Sequence, residues 1–187
     1  MPSSTKQQIA QALETLAEKK NIDKITIRDI VEECHISRQA FYYHFRDILD
    51  VIEWRMNEIT QEMLERSLEI EDPQKACRLF VSHAVENRGM LHRLMASQHR
   101  DELTHIMMQA FRTYLHKLFR RRLSYSSLSA MDLELVTDFC AFGISGLILD
   151  HCQQPRTDAE HLADQIYRLL SGQIVNMENR VYKNAEV

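Results

Sequence analysis

Glycine and proline are scarce in this chain, with four glycines and three prolines in 187 residues. Turns and sheets draw on those residues repeatedly, and helices do not. No sustained period-2 alternation of apolar residues is present either, so the chain is expected to be all-α. With 44% hydrophobic and 27% charged residues it can build an ordinary folded core. Its length suits one core-forming domain with a smaller one appended.

Apolar spacing predicts a first helix from about Ser4 to Lys20, with Ile9, Ala12, Leu13, Leu16 and Ala17 on one face. Ile22, Ile25 and Ile27 alternate too briefly for a strand and read as a packed connection. Thr26 opens the next helix. Its hydroxyl can cap the first turn, and Asp29 three residues on completes a capping-box-like pair. Ile27, Ile30 and Val31 point inward, and the pattern stops near Cys34-His35. Ser37 then caps a third short helix whose inward residues are Ala40, Phe41 and Phe45. Two helices of about two turns joined by a few residues have helix-turn-helix spacing. The unit runs from about Thr26 to Arg46.

Asp47 caps a long fourth helix that continues to about Ile70, and Asp72-Pro73 is a stop and restart. The domain boundary is expected along that helix, which divides the chain into a head, residues 1–65, and a larger helical part, residues 66–187. Two or three helices are expected between Pro73 and Arg122. A loop follows from Ser124 to Ser129. Ser129 with Asp132 opens a helix to about His151, and Thr157 with Glu160 forms a capping box for a last helix to about Asn179. About nine helices result.

The net charge of −4 does not by itself suggest a nucleic-acid binder, and residues 1–50 hold seven Lys/Arg against eight Asp/Glu. Distribution matters more. No acidic residue falls between Glu33 and Asp47, while His35, Arg38, His44 and Arg46 all do. A local positive window on one exposed face can still meet phosphates.

A helix that reads the major groove presents short polar side chains to base edges while flanking residues hold phosphates. Ser37, Arg38, Gln39, Tyr42 and Tyr43 are the outward residues of the third helix. Arginine can grip guanine and glutamine can grip adenine, each with two hydrogen bonds. Tyr42, Tyr43, His44 and Arg46 can donate to phosphates, and Arg28 lies near the start of the bracing helix. The alternative is a packed three-helix head with these residues merely on its rim.

The stretch Thr26-Ile-Arg-Asp-Ile-Val-Glu-Glu-Cys-His-Ile-Ser-Arg-Gln-Ala-Phe-Tyr-Tyr-His-Phe-Arg-Asp resembles the TetR family of transcriptional regulators. The Thr26 start, the Ser37 position and the run Phe41-Tyr42-Tyr43-His44-Phe45 carry the resemblance, which covers about the first 65 residues. It implies an all-α homodimer with a small DNA-reading head and a larger helical domain for effector binding and dimerisation. By motif position it implies base or phosphate contacts from Arg28, Arg38, Gln39, Tyr42, Tyr43 and His44, and Thr26, Ser37 and Arg46 join them as candidate DNA-binding residues. Two positions depart from the family pattern. His35 stands where the family usually has glycine in the tight turn, and Ile48 stands where it often has a phosphate-holding lysine.

Residues 75–180 resemble, more faintly, the C-terminal domain of TetR regulators of the DhaS type, linked to dihydroxyacetone kinase operons. The carrying segments are Asp138-Phe-Cys-Ala-Phe-Gly-Ile-Ser-Gly-Leu-Ile and Ile166-Tyr-Arg-Leu-Leu. This fainter resemblance implies a regulator whose input is a protein partner or a small metabolite, and the TetR resemblance as a whole implies an effector-responsive repressor acting on a partly palindromic operator. The alternative it implies is an activator whose input is a kinase-like protein partner.

The helix at about 131–151 is apolar nearly all round and is expected to be buried on several sides. The last helix, about 157–179, carries Leu162, Ile166, Leu169, Leu170 and Ile174 on one stripe. Pairing both helices with their two-fold copies would give a four-helix dimer seam, and an intramolecular core is the alternative. Phe80, His83, Met90, Met107, Phe111, Tyr114 and Phe139 are candidates to line an effector pocket, with plain core as the competing reading.

Seven histidines lie between His83 and His161, but no pair has the i,i+4 spacing of a helical metal site, and the four cysteines form no CxxC pair. No metal or cofactor is expected. No nucleophile–base pair suggests an enzyme. No apolar run approaches the roughly 20 residues of a membrane span, and the N-terminus lacks an apolar signal core. A cytoplasmic protein with reduced thiols is the expectation.

Overall fold

The computed structural model describes residues 4–122, 129–152 and 158–173. Among these residues it contains nine α-helices, one 3-10 turn and no strand. The head comprises α1 (Thr5–Lys19), the 3-10 turn Ile22–Lys24, α2 (Ile27–Glu33) and α3 (Arg38–His44). The long α4 (Ile48–Glu69) leads out of it. The body follows with α5 (Pro73–Glu86), α6 (Arg88–Met95), α7 (Arg100–Arg122), α8 (Ala130–Cys152) and α9 (Ala159–Leu170).

The helix starts are where the cap chemistry places them. Ser4, Thr26, Ser37, Asp47 and Asp72 each accept from first-turn amides, which would otherwise lack a partner. Thr26 and Asp29 form the full reciprocal box. Ser129 and Asp132 bond to one another at the start of α8. The last helix is capped by Asp158, which accepts from Glu160 and His161, and it ends at Leu170. Gly172 there has φ 73°. The expected course to Asn179 is therefore too long, because a left-handed glycine is a helix stop. Thr157, Ile174 and most of the 124–129 loop lie outside the described residues.

Two core clusters organise the chain. One holds Ile9, Leu13, Ile30, Phe41, Phe45, Val51 and Ile52. The other holds Met63, Leu64, Val81, Phe111, Ile144 and Ile166. They part within α4, between Ile52 and Met63. The body also reaches into the head, because Leu94 of α6 and Leu103 of α7 belong to the first cluster.

Helix α8 is not buried on several sides within the chain. Cys140, Ala141, Ile144 and Ile148 face inward, while Met131, Leu135, Phe139 and Phe142 are exposed. Those four follow helical spacing along one face, and Gly143 and Gly146 on that side have nothing within 4 Å of where a Cβ would stand. Leu169 and Leu170 of α9 are exposed as well.

Candidate nucleic-acid interface and ligand cavity

Helix α3 is anchored by its aromatic residues. Phe41 has no exposed surface and Phe45 only 3%. Their burial turns the intervening positions outward, so Tyr42 is 58% and Tyr43 83% exposed. Ser37, Arg38, Gln39 and Arg46 are exposed too, and His44 is half-buried. The ring of Tyr42 meets Phe41 edge-on at 5.6 Å, and that of Tyr43 meets His44 at 5.0 Å.

The two caps hold the unit's shape. The Thr26 hydroxyl donates to Asp29 at 2.7 Å and accepts from its backbone amide. Ser37 accepts from the amide of Ala40 at 3.0 Å. Lys20 pairs with Asp29 at 2.8 Å, and the ammonium together with the Thr26 bonds holds that carboxyl far below the usual range. The basic residues are partly engaged. Arg28 pairs with Glu32 at 2.7 Å, and Arg46 with Asp50 at 3.4 Å. The Arg28–Glu32 pair is exposed, as is Arg46, while Asp50 is half-buried, and pairs open to water are worth little.

The turn between α2 and α3 has one special backbone position. His35 has φ 54°, the sole positive-φ residue other than glycine among the described residues. Histidine thus takes the left-handed conformation that a family glycine would take. Ile48 packs against the head core, so it serves packing at a position where a lysine would hold phosphate.

A cavity of about 350 Å³ lies at the seam of head and body. Small-molecule sites fall in this size range. Its walls come from α1 (Leu13, Ala17), α4 (Val51, Met56, Ile59), α5 (Phe80, His83), α6 (Met90, Leu94), α7 (Met107, Phe111) and α8 (Ile148). The structure brings Phe80, His83, Met90, Met107 and Phe111 together on its wall. Tyr114 and Phe139 are corrections. Tyr114 is buried behind the cavity, stacked on Phe80 at 5.1 Å and bonded through its hydroxyl to Ser67 at 2.9 Å. Phe139 is 73% exposed on the outer face of α8.

The cavity has a polar rim that the sequence did not reveal. Arg55 donates to Glu14 at 2.7 Å, joining α4 to α1, and lies 3.7 Å from Glu62. Gln11, Glu18, Thr60, Asn87, Thr104 and Ser145 add to the polar lining. Burial pulls the His83 imidazole below its ordinary value, opposed by Glu86 and reinforced by Arg66 and Arg55. Glu14 and Arg55 sit 41 residues apart, and no local spacing announces such a pair. Among the described residues no group of three or more metal-ligating side chains occurs, and no helix is long and apolar enough to cross a membrane.

The comparisons agree with this architecture. Residues 9–53 match the model for bacterial regulatory proteins of the TetR family, and residues 71–172 match a transcriptional-regulator C-terminal region. A search of curated proteins gives no match. Among solved structures, the dihydroxyacetone kinase operon activator DhaS superposes with TM-score 0.69 at 20% identity, over 91% of this chain and 96% of that one. FadR of Thermus thermophilus, a TetR-family repressor solved with lauroyl-CoA, superposes with TM-score 0.69 at 13% identity, over 91% and 95%. FadR of Bacillus subtilis, solved with stearoyl-CoA, gives 0.58 at 16%, over 89% and 98%. At these identities the likeness speaks to the fold. The chain belongs to the TetR family of transcriptional regulators, and its head is a helix-turn-helix DNA-binding domain.

Proposed function

We propose that this chain is an effector-responsive repressor that binds, as a homodimer, a partly palindromic DNA operator. One observation carries the reading. Helix α3 sets Arg38, Gln39, Tyr42 and Tyr43 on one exposed surface, to which it contributes no carboxylate. Arg38 and Gln39 read base edges. Tyr42, Tyr43 and His44 donate to phosphates, and Arg28 and Arg46 exchange their carboxylate partners for phosphate. Thr26 and Ser37 fix the two helices relative to each other through their caps.

Residues 1–65 act as the reading head and residues 66–187 as the effector and dimerisation unit. The partner copy covers Met131, Leu135, Phe139 and Phe142 of α8 with Leu169 and Leu170 of α9. Exposed apolar faces of this kind are unusual on a monomer. The dimer then places two recognition helices in successive major grooves, about 34 Å apart. The cavity at the seam favours a small-molecule input over a kinase-like protein partner, because its walls come from both head and body. Occupancy shifts the population away from the DNA-fitting arrangement. The protein acts in the cytoplasm, with no catalytic role.

A mobility-shift titration with DNA upstream of the protein's own gene tests this. A saturable complex of two chains per duplex supports it. Binding no tighter than to scrambled DNA contradicts it.

A further inference from the structure

The cavity is apolar over most of its wall, but the charges on its rim are unbalanced. Its lining holds two carboxylates, Glu14 and Glu18, against one guanidinium, Arg55. Arg55 is already claimed by Glu14 at 2.7 Å and approached by Glu62 at 3.7 Å. The Glu14–Arg55–Glu62 set therefore carries a net negative charge. His83 does not offset it, because burial holds its imidazole toward the neutral form. An anionic ligand entering here would meet an arginine that is already shared and a surplus of carboxylate. A cationic ligand would neutralise that surplus. Phe80 and Phe111 line the cavity and stack on each other at 4.4 Å, which gives an apolar body a wall to pack on.

We propose that the effector of this cavity is a small amphipathic organic cation whose apolar body fills the space between Phe80, Met90, Met107 and Phe111 and whose charged end takes Glu14. This rests on the reading of the cavity as the effector site. It also assigns the route of the signal. Glu14 belongs to α1, the first helix of the DNA-reading head, and its bond to Arg55 ties that helix to α4. A cation at Glu14 loosens this tie, so the ligand acts on the head directly. Trp54, the sole tryptophan, neighbours Arg55 in α4 and packs on Phe45 at 5.9 Å, so its fluorescence reports the change.

The test uses three probes with one body and three charges: 4-phenylbutylamine, 4-phenylbutanol and 4-phenylbutyrate. Each is titrated into the full-length protein by calorimetry, with Trp54 fluorescence in parallel. The expected order is amine, then alcohol, then acid, with roughly fivefold between the first two, as a partly exposed ion pair gives. Glu14→Gln is expected to remove the amine's advantage, and Glu14→Asp to keep it, with both variants melting as cooperatively as the parent. An acid that binds more tightly than the amine overturns the charge assignment while leaving the cavity an effector site. An amine preference that survives Glu14→Gln overturns the assignment to Glu14. Failure of all three probes to bind at millimolar concentration overturns the effector reading itself.

Discussion

The side chain of Asp23 accepts a hydrogen bond from the backbone amide of Gln98 at 3.1 Å, bridging 75 positions of sequence and tying the head to the body. The Ser97 hydroxyl donates to the other carboxylate oxygen. One aspartate in the turn after α1 thus satisfies donors at the α6–α7 connection, next to Leu94 and Leu103, which complete the head's core.

Asp23→Asn is expected to lower the melting temperature and to speed hydrogen exchange at the α6–α7 connection. Its pH dependence has a definite sign. The Ser97 and Gln98 bonds hold the carboxyl below its ordinary value of 3.8. A depressed folded pKa contributes stability above the unfolded value and loses it as pH falls through the folded one. The melting-temperature gap between parent and variant should be open at neutral pH and should start to narrow as pH falls below about 3.8. A gap unchanged down to pH 2 would contradict the assignment.

His35→Gly is expected to stabilise the protein. Holding a residue with a Cβ at φ 54° costs about 1–2 kcal/mol. The extra freedom of glycine in the unfolded chain returns about 0.5–1 kcal/mol of that. The net gain should raise the melting temperature by about 1–4 °C, read by differential scanning calorimetry. A fall would mean that the imidazole makes a stabilising contribution that outweighs the backbone strain.

Tyr114→Phe should destabilise by about 1–2 kcal/mol, lowering the melting temperature by about 2–8 °C. Ser67 is fully buried, and its hydroxyl would lose the partner it has at 2.9 Å. Because Tyr114 lies behind the cavity, the variant should leave probe affinities unchanged. A selective loss of probe binding would return Tyr114 to the cavity wall.

Phe139→Glu should turn the dimer into a monomer without unfolding it. The side chain is 73% exposed within one chain, so the charge costs little there. In a seam it would be desolvated twice, by symmetry. The dimer dissociation constant should rise at least about a hundredfold in sedimentation velocity, with unchanged far-UV circular dichroism. An undisturbed dimer would place the seam elsewhere.

The sequence was most legible where the chemistry is local. Caps such as Thr26–Asp29 and the alternation of Phe41 and Phe45 with Tyr42 and Tyr43 are settled within one or two turns, so they could be read directly. The left-handed turn at His35 was legible as a departure from a glycine pattern. What was not legible depends on distant packing. The Glu14–Arg55 pair and the Asp23–Gln98 bond join segments whose approach no spacing predicts. Phe139 shows the limit on apolar helices, because α8 is apolar on both sides and only its neighbours decide which side is inner.

The central claim is that α3 reads DNA. Selection of duplexes from a random pool by the full-length protein tests it most directly, with Arg38→Ala and Tyr42→Ala run beside it. The account predicts a partly palindromic motif for the parent. It predicts a loss of affinity of roughly tenfold or more on that motif for each folded variant, from about 1–3 kcal/mol per contact in each half-site. No enriched motif, or the same motif recovered with unchanged affinity by Arg38→Ala, would contradict it.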